Sequence, residues 1–256
     1  MSGHNKWSTI KHKKAKTDAK RGKIFSRLSK ELTLAARQGG GDITMNAQLR
    51  SAVAAAKTAN MPNDNVDRAI KKGTGELDGQ TLEEITYEGY GAGGVALLVE
   101  VLTDNRTRSA ADIRFIFSKN NGNIANPGAV AWQFHRKARF VVSGEQADEE
   151  SLMMMLLEAD VDAESVTAID ETTVEIVAPP DAFAQVLTAL EAADIQPSES
   201  GMPYLPDNEI EVSEVGVAKQ AMRLVEALED YDDVQGVYSN ESFTDDVMAT
   251  LDSDSD

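Results

Sequence analysis

The sequence predicts an α+β chain of several domains: an N-terminal three-helix domain followed by two α/β domains, one of them a ferredoxin-like βαββαβ insertion. Three observations predict this class. Apolar residues recur at helical spacing as far as Gly73 and alternate after Gly79. A stretch from Phe140 to about Leu205 reads strand, helix, strand, strand, helix, strand, which is the split-βαβ order. The charge divides where the period changes: residues 1–80 carry 16 Lys and Arg against 7 Asp and Glu, and the remaining 176 carry 9 against 36. With 256 residues there is room for two or three domains.

In chain order, Ile24, Phe25, Leu28, Leu32 and Ala36 give one apolar face to a helix that begins at Thr17 or Asp18 and stops at Gly39-Gly40-Gly41. Asn46 is a cap for a second helix with Leu49, Val53 and Ala56 inward. Asn60-Met61-Pro62 starts a third, with Val66 and Ile70 inward and Gly73 as its C-cap. Gly73 to Gly79 is the expected linker. Glu84 to Tyr90 and Val95 to Leu102 then read as strands, Ser109 to Lys119 as a helix and Val130 to Phe134 as a strand.

The ferredoxin-like unit follows as strand Phe140 to Val142, helix Glu149 to Glu158, strands Ser165 to Ile169 and Thr173 to Val177, helix Asp181 to Ala192 and a last extended segment. A helix from Glu214 to Glu229 and a strand from Val234 to Tyr238 are too few to form a domain, so they are assigned back to the earlier sheet. The expected layout is a basic helical domain at 1–79, a discontinuous α/β domain at 80–136 with 208–243, an inserted domain at 137–207, and an acidic, disordered tail at 244–256.

Composition excludes several chemistries. There is no cysteine, hence no disulfide framework, thiol nucleophile or Cys-ligated zinc. His4, His12 and His135 are the only imidazoles, and none stands in an HxxxH or nucleophile-elbow context. Gly89, Gly91 and Gly94 match GxGxxG, but Val95 to Val99 reads as a strand where a dinucleotide site needs a helix, so a Gly-rich hairpin is expected. Adjacent acids such as Glu83-Glu84 and Asp232-Asp233 read as solvated faces. No enzyme activity, metal, cofactor or small-molecule substrate is expected. No apolar run approaches the roughly 20 residues that span a bilayer, so a soluble, cytoplasmic protein without membrane contact is expected.

The positive signal is the basic head. His4, Lys6, Trp7, Lys11, His12, Lys13, Lys14, Lys16, Lys20, Arg21 and Lys23 place cations every few residues, a pattern that can follow a phosphate backbone, with Trp7 as one stacking surface. Lys outnumbers Arg there, which favours positioning on phosphates over reading of base edges. A second cluster, Arg106, Arg108, Arg114 and Lys119, follows Thr103-Asp104-Asn105; Arg106 and Arg108 are expected in the turn entering a helix, whose N-terminus attracts anions. The competing role for this cluster is pairing with the acidic body.

Ser2-Gly3-His4-Asn5-Lys6-Trp7, Ile10-Lys11-His12-Lys13-Lys14, Asp18-Ala19-Lys20-Arg21-Gly22-Lys23, Asn60-Met61-Pro62, Glu88-Gly89-Tyr90-Gly91 and Leu102-Thr103-Asp104-Asn105-Arg106 closely resemble the YebC/PmpR family. The resemblance runs from Gly3 to about Asn240. It implies a three-domain fold and a regulator of gene expression. Family members are labelled probable transcriptional regulators, with DNA binding described for some. Mitochondrial relatives act as translational activators, and bacterial ones are connected to relief of ribosome stalling. The implied partner is therefore DNA, or ribosomal RNA and the ribosome. The sequence departs from the family's habit at Ala47, Ala92 and Asn121, where Pro, Pro and Gly are common.

Overall fold

A computed structural model describes residues 18–77 and 82–253. The first unit is helical: α1 (Asp18–Gly39), α2 (Ala47–Thr58) and α3 (Asn63–Gly73). Leu28, Leu32, Ala35 and Ala36 of α1 close over Leu49, Ala52, Val53 and Ala56 of α2 and Val66 and Ala69 of α3. Ile24, expected on that apolar face, is instead 44 % exposed, because the packing begins one turn later. Asn46 caps α2 by accepting from Leu49 N (3.0 Å), and its amide donates to Ala35 O and Gly40 O, both at 2.8 Å. One buried side chain thus ends one helix and starts the next.

Gly73 does not act as a C-cap. It is the last residue of α3, and a Cβ there would lie 2.3 Å from Thr33 O and 2.7 Å from Ala36 Cβ, so its role is close approach of α3 to α1. The cap is Thr74.

The second unit holds β1 (Glu83–Tyr90), β2 (Ala96–Thr103), α4 (Arg106–Lys119) and β3 (Asn123–Ile124). Gly91 to Val95 forms a tight connection with Gly93 and Gly94 at positive φ, so the GxGxxG match lies in an antiparallel hairpin. Asn121 sits at φ 58°, a left-handed position that Asn tolerates.

Val130 to Phe134 is not a strand. The buried Glu88 carboxylate accepts from the backbone N–H groups of Gly128 (2.6 Å), Val130 (2.7 Å) and Ala131 (2.8 Å), which curls the segment into a 3₁₀ turn. Burial alone would raise the Glu88 pKa; the backbone donors outweigh it and hold the carboxyl below its usual range.

Strands β4 (Phe134–Arg136) and β9 (Tyr204–Pro206) pair antiparallel and form the stem through which the chain enters and leaves the third unit. That unit runs β5 (Ala138–Ser143), α5 (Glu149–Glu158), β6 (Ser165–Asp170), β7 (Thr173–Ala178), α6 (Phe183–Ala192), β8 (Glu199–Gly201). Its antiparallel sheet has the order β6-β7-β5-β8, the ferredoxin-like arrangement. Phe140, Val142, Val174 and Ile176 from the sheet meet Leu152, Leu156, Val186 and Leu190 from the helices.

The chain then returns. After β10 (Ile210–Val212) come α7 (Val215–Glu229), β11 (Val234–Ser239) and β12 (Glu241–Phe243). Strand β11 joins β2, giving the order β11-β2-β1-β3, and α4 and α7 cover one face with Ile113, Phe117, Leu224 and Leu228. Residues 244–253 are not a disordered tail. They include α8 (Asp245–Ser253), and Val247, Met248 and Leu251 are buried in the same core. The Asp and Ser content hid three apolar residues on one helical face, while Asp245 and Asp246 suit the helix N-terminus.

Candidate nucleic-acid interface

Of the head residues proposed from the sequence, His4, Lys6, Trp7, Lys11, His12, Lys13, Lys14 and Lys16 lie outside the described residues. Lys20 and Arg21 fall in the first turn of α1, and their side chains are likewise outside the description. Lys23 is placed, together with Arg27 and Lys30 one and two turns on, against the acidic corner between α7 and β11. Lys23 Nζ donates to the Asp230 carbonyl and carboxylate, both at 3.0 Å. Arg27 donates to Gln235 O, and Lys30 Nζ donates to Asp232 O (2.9 Å) and Asp233 Oδ1 (2.6 Å). The spacing of 23, 27 and 30 puts all three on one helix face. The C-terminal end of α7 adds its partial negative charge to these acids. This part of the basic face therefore holds the helical unit to the body.

Asp233 is the hub of that contact. Its Oδ2 accepts from Arg108 Nη2 (2.8 Å), Ser109 Oγ (2.7 Å) and Thr103 Oγ1 (3.0 Å), while Lys30 takes Oδ1. Asp233 is 4 % exposed, which corrects its reading as a solvated acid. Burial would raise its pKa, but Lys30, Arg108 and Ser109 outweigh that and hold the carboxyl far below the usual carboxylate range. Hydrogen bonding to Asp233 pushes Arg108 above its ordinary value. Tyr231 OH donates to Asp112 Oδ2 (2.8 Å), and burial together with that acceptor pushes it up to about 12. Asp233, Arg108 and Tyr231 are thereby each held in one protonation state near neutral pH.

The second cluster divides. Arg106 and Arg108 occupy the first turn of α4 itself, which starts three residues earlier than expected because Asn105 caps it, accepting from Arg108 N at 3.0 Å. Arg108 turns inward to Asp104 (2.9 Å) and Asp233. Arg106, Arg114 and Lys119 remain exposed, with no ion pair among the described residues. Between the last two stands Phe115, 64 % exposed, with Lys119 Nζ 5.8 Å from its ring centroid. An aromatic flanked by cations offers stacking and phosphate contact together. Sequence reasoning missed Phe115, although its position one residue after Arg114 and four before Lys119 was available as a signal. It also missed Trp132, 64 % exposed on the loop that Glu88 shapes.

A cleft of about 480 Å³ separates α1 and α3 from the body, lined among others by Ser29, Lys72, Arg108, Asp112 and Tyr231. Its charges are of both signs and largely paired with each other. Among the described residues, no three His, Asp or Glu side chains converge to hold a metal ion, and no helix is long and apolar enough to cross a membrane.

With this geometry in view, the comparisons with known proteins are decisive for descent. The family description "TACO1/YebC protein N-terminal domain" matches residues 5–76, and "TACO1/YebC second and third domain" matches residues 82–241. The chain belongs to the YebC family. A relative from Desulforapulum autotrophicum named "Probable transcriptional regulatory protein" is 54 % identical over 98 % of this chain and all of its own length. One from Natranaerobius thermophilus with the same name is 51 % identical over 98 % of this chain and all of its own. The crystal structure of a conserved hypothetical protein from Aquifex aeolicus superposes with a TM-score of 0.81 at 39 % identity, covering 92 % of this chain and 96 % of that one. This chain thus has a helical unit whose α1 is ionically seated on the acidic body, and an α4 that leaves Arg106, Arg114, Phe115 and Lys119 exposed.

Proposed function

We propose that this YebC-family chain is a non-enzymatic, cytoplasmic regulator of gene expression that binds nucleic acid with its basic N-terminal segment. The observation that carries the reading is the charge division, a net +9 over residues 1–80 against a net charge of -18 for the whole chain. A polyanion is attracted to the head and repelled by the body, so the charge pattern orients the complex as well as stabilising it. The relatives' name, "Probable transcriptional regulatory protein", supports transcription as the process, and duplex DNA is the target that this reading assigns to the head.

A second reading, a ribosome-associated translation factor that binds ribosomal RNA, is supported by a different observation. Lys23, Arg27 and Lys30 face the body, so the stretch of α1 from Lys23 to Lys30 does not present these cations to a major groove. The exposed Phe115, next to Arg114 in the chain and with Lys119 Nζ 5.8 Å from its ring centroid, suits unstacked bases, which RNA loops offer and duplex DNA does not.

The test is filter binding of the full chain and of Lys13→Glu/Lys14→Glu to duplex DNA and to structured RNA across a salt series. The expected result is a steep salt dependence whose slope falls by about 2 in the double variant, one for each phosphate that the variant no longer neutralises. Tighter binding to DNA than to RNA supports the first reading, and the reverse supports the second. Unchanged affinity and slope for both polymers in the variant would overturn the proposal.

A further inference from the structure

The ferredoxin-like unit carries an apolar stripe on its outer surface. Helix α5 buries Leu152 and Leu156 in the core, while Met153 (43 % exposed), Met154 (62 %) and Leu157 (69 %) face solvent. The spacing of 153, 154 and 157 places them side by side on one helix face, and a single exposed leucine needs no explanation where three adjacent apolar side chains do. Two of the three are methionines, whose unbranched, polarisable side chains adapt to differently shaped partners.

The surroundings say what charge the partner has. Between Arg139 and Lys219 the chain contains no Lys or Arg. Glu150 flanks the stripe at its N-terminal end, and Glu158, Asp160 and Asp162 at its C-terminal end, all exposed and without an ion pair among the described residues. Acids beyond the last turn oppose the helix dipole, so α5 is destabilised there unless a cation answers them. The chain itself contains the answered version of this arrangement. The acidic C-terminal end of α7, with Asp230, Asp232 and Asp233, is met by the basic helix α1 through Lys23 and Lys30. The end of α5 has the same chemistry and, among the described residues, no such helix against it.

We infer that the outer face of α5 is a docking surface for a cationic amphipathic helix of a protein partner, its apolar side laid on Met153, Met154 and Leu157 and its Lys or Arg residues on Glu150, Glu158, Asp160 and Asp162. This is the helix-on-surface mode in which apolar positions give affinity and the charged rim gives orientation. It assigns the acidic body a protein ligand, separate from the polyanion assigned to the head. The basic head repels a cationic peptide, so binding of one reports on the body.

The experiment uses the full-length protein and a synthetic, fluorescently labelled Leu/Lys peptide with helical amphipathic spacing, read by anisotropy. A scrambled peptide of identical composition is the control for charge alone. The expected result is binding of the amphipathic peptide, weaker binding of the scrambled one, and an affinity loss of about tenfold or more in Met154→Ser/Leu157→Ser, since burial of two apolar side chains is removed. Both positions are exposed, so the variant keeps its fold, which far-UV circular dichroism verifies. Asp160→Asn/Asp162→Asn is expected to flatten the salt dependence. Equal binding by wild type and the Ser variant, or equal binding of the two peptides, would overturn the inference. So would sedimentation equilibrium showing a dimer that the Ser variant abolishes, because the occupant would then be a second copy of the chain.

Discussion

Replacing Asp233 by Asn removes one charge from a carboxylate that five side chains of the body and the helical unit share, Lys30, Thr103, Arg108, Ser109 and Tyr231. The amide turns a donor toward either Lys30 or the Arg108, Ser109 and Thr103 group, each of which already donates. Breaking a buried, hydrogen-bonded ion pair from one side costs roughly 3–5 kcal/mol. Arg108, with a side chain 48 % exposed, can turn to water, so the lower end, about 3 kcal/mol, is expected. The pH dependence gives an independent check. The folded-state pKa of Asp233 is depressed, so its contribution is fully present above the unfolded value of about 4 and is lost as pH falls toward the folded value. Each pH unit in that window removes about 1.4 kcal/mol from the wild type and nothing, through this group, from the Asn variant. Urea titrations followed by far-UV circular dichroism at pH 6 and pH 3.5 should therefore show the gap between the two proteins narrowing by roughly 0.7 kcal/mol. A gap below 1 kcal/mol at pH 6, or one that does not change with pH, would refute the placement of Asp233 as the charged hub.

Three further outcomes are expected. Gly73→Ala drives a methyl group to 2.3 Å from Thr33 O and should destabilise the helical unit by about 2 kcal/mol, read as a lower urea midpoint; an unchanged midpoint would mean α3 does not approach α1 so closely. Leu251→Ala empties a site that is 5 % exposed and should cost about 2 kcal/mol, whereas a disordered tail would give no change in thermal unfolding. Arg114→Ala/Phe115→Ala alters only exposed side chains, so it should leave stability unchanged while lowering RNA affinity several-fold and the salt slope by about 1; full RNA affinity would remove the α4 face from the interface.

The parts of the fold that were legible are those governed by local periodicity. Helix α5 begins and ends where its spacing says, and the first three strands of the ferredoxin-like unit fall within two residues of their expected bounds, whereas the fourth, β8, stops at Gly201, short of the expected Leu205. Errors arose where a distant group overrides local preference. Glu88 bends residues 128–131 from a strand into a turn, and the body core recruits Val247, Met248 and Leu251 from a segment whose composition reads as unstructured. The site follows the same division. Charge clusters are visible in one dimension, but which cations are paired is decided by Asp233, whose partners lie 203 and 125 residues away at Lys30 and Arg108. Adjacent acids carry no mark of which one will be buried, so Asp232-Asp233 gave no warning of the hub.

Above all, this chain is proposed to act while bound to nucleic acid. The most direct test is sedimentation of the tagged full-length protein from cell lysate on a density gradient at near-physiological salt, untreated and after DNase or RNase, with Lys13→Glu/Lys14→Glu beside it. The expected result is migration with a large nucleic-acid particle that one nuclease abolishes and the double variant weakens, and the nuclease that does so names DNA or ribosomal RNA as the target. Migration as a free protein of about 27.6 kDa, unaffected by either nuclease or by the charge reversal, would contradict it.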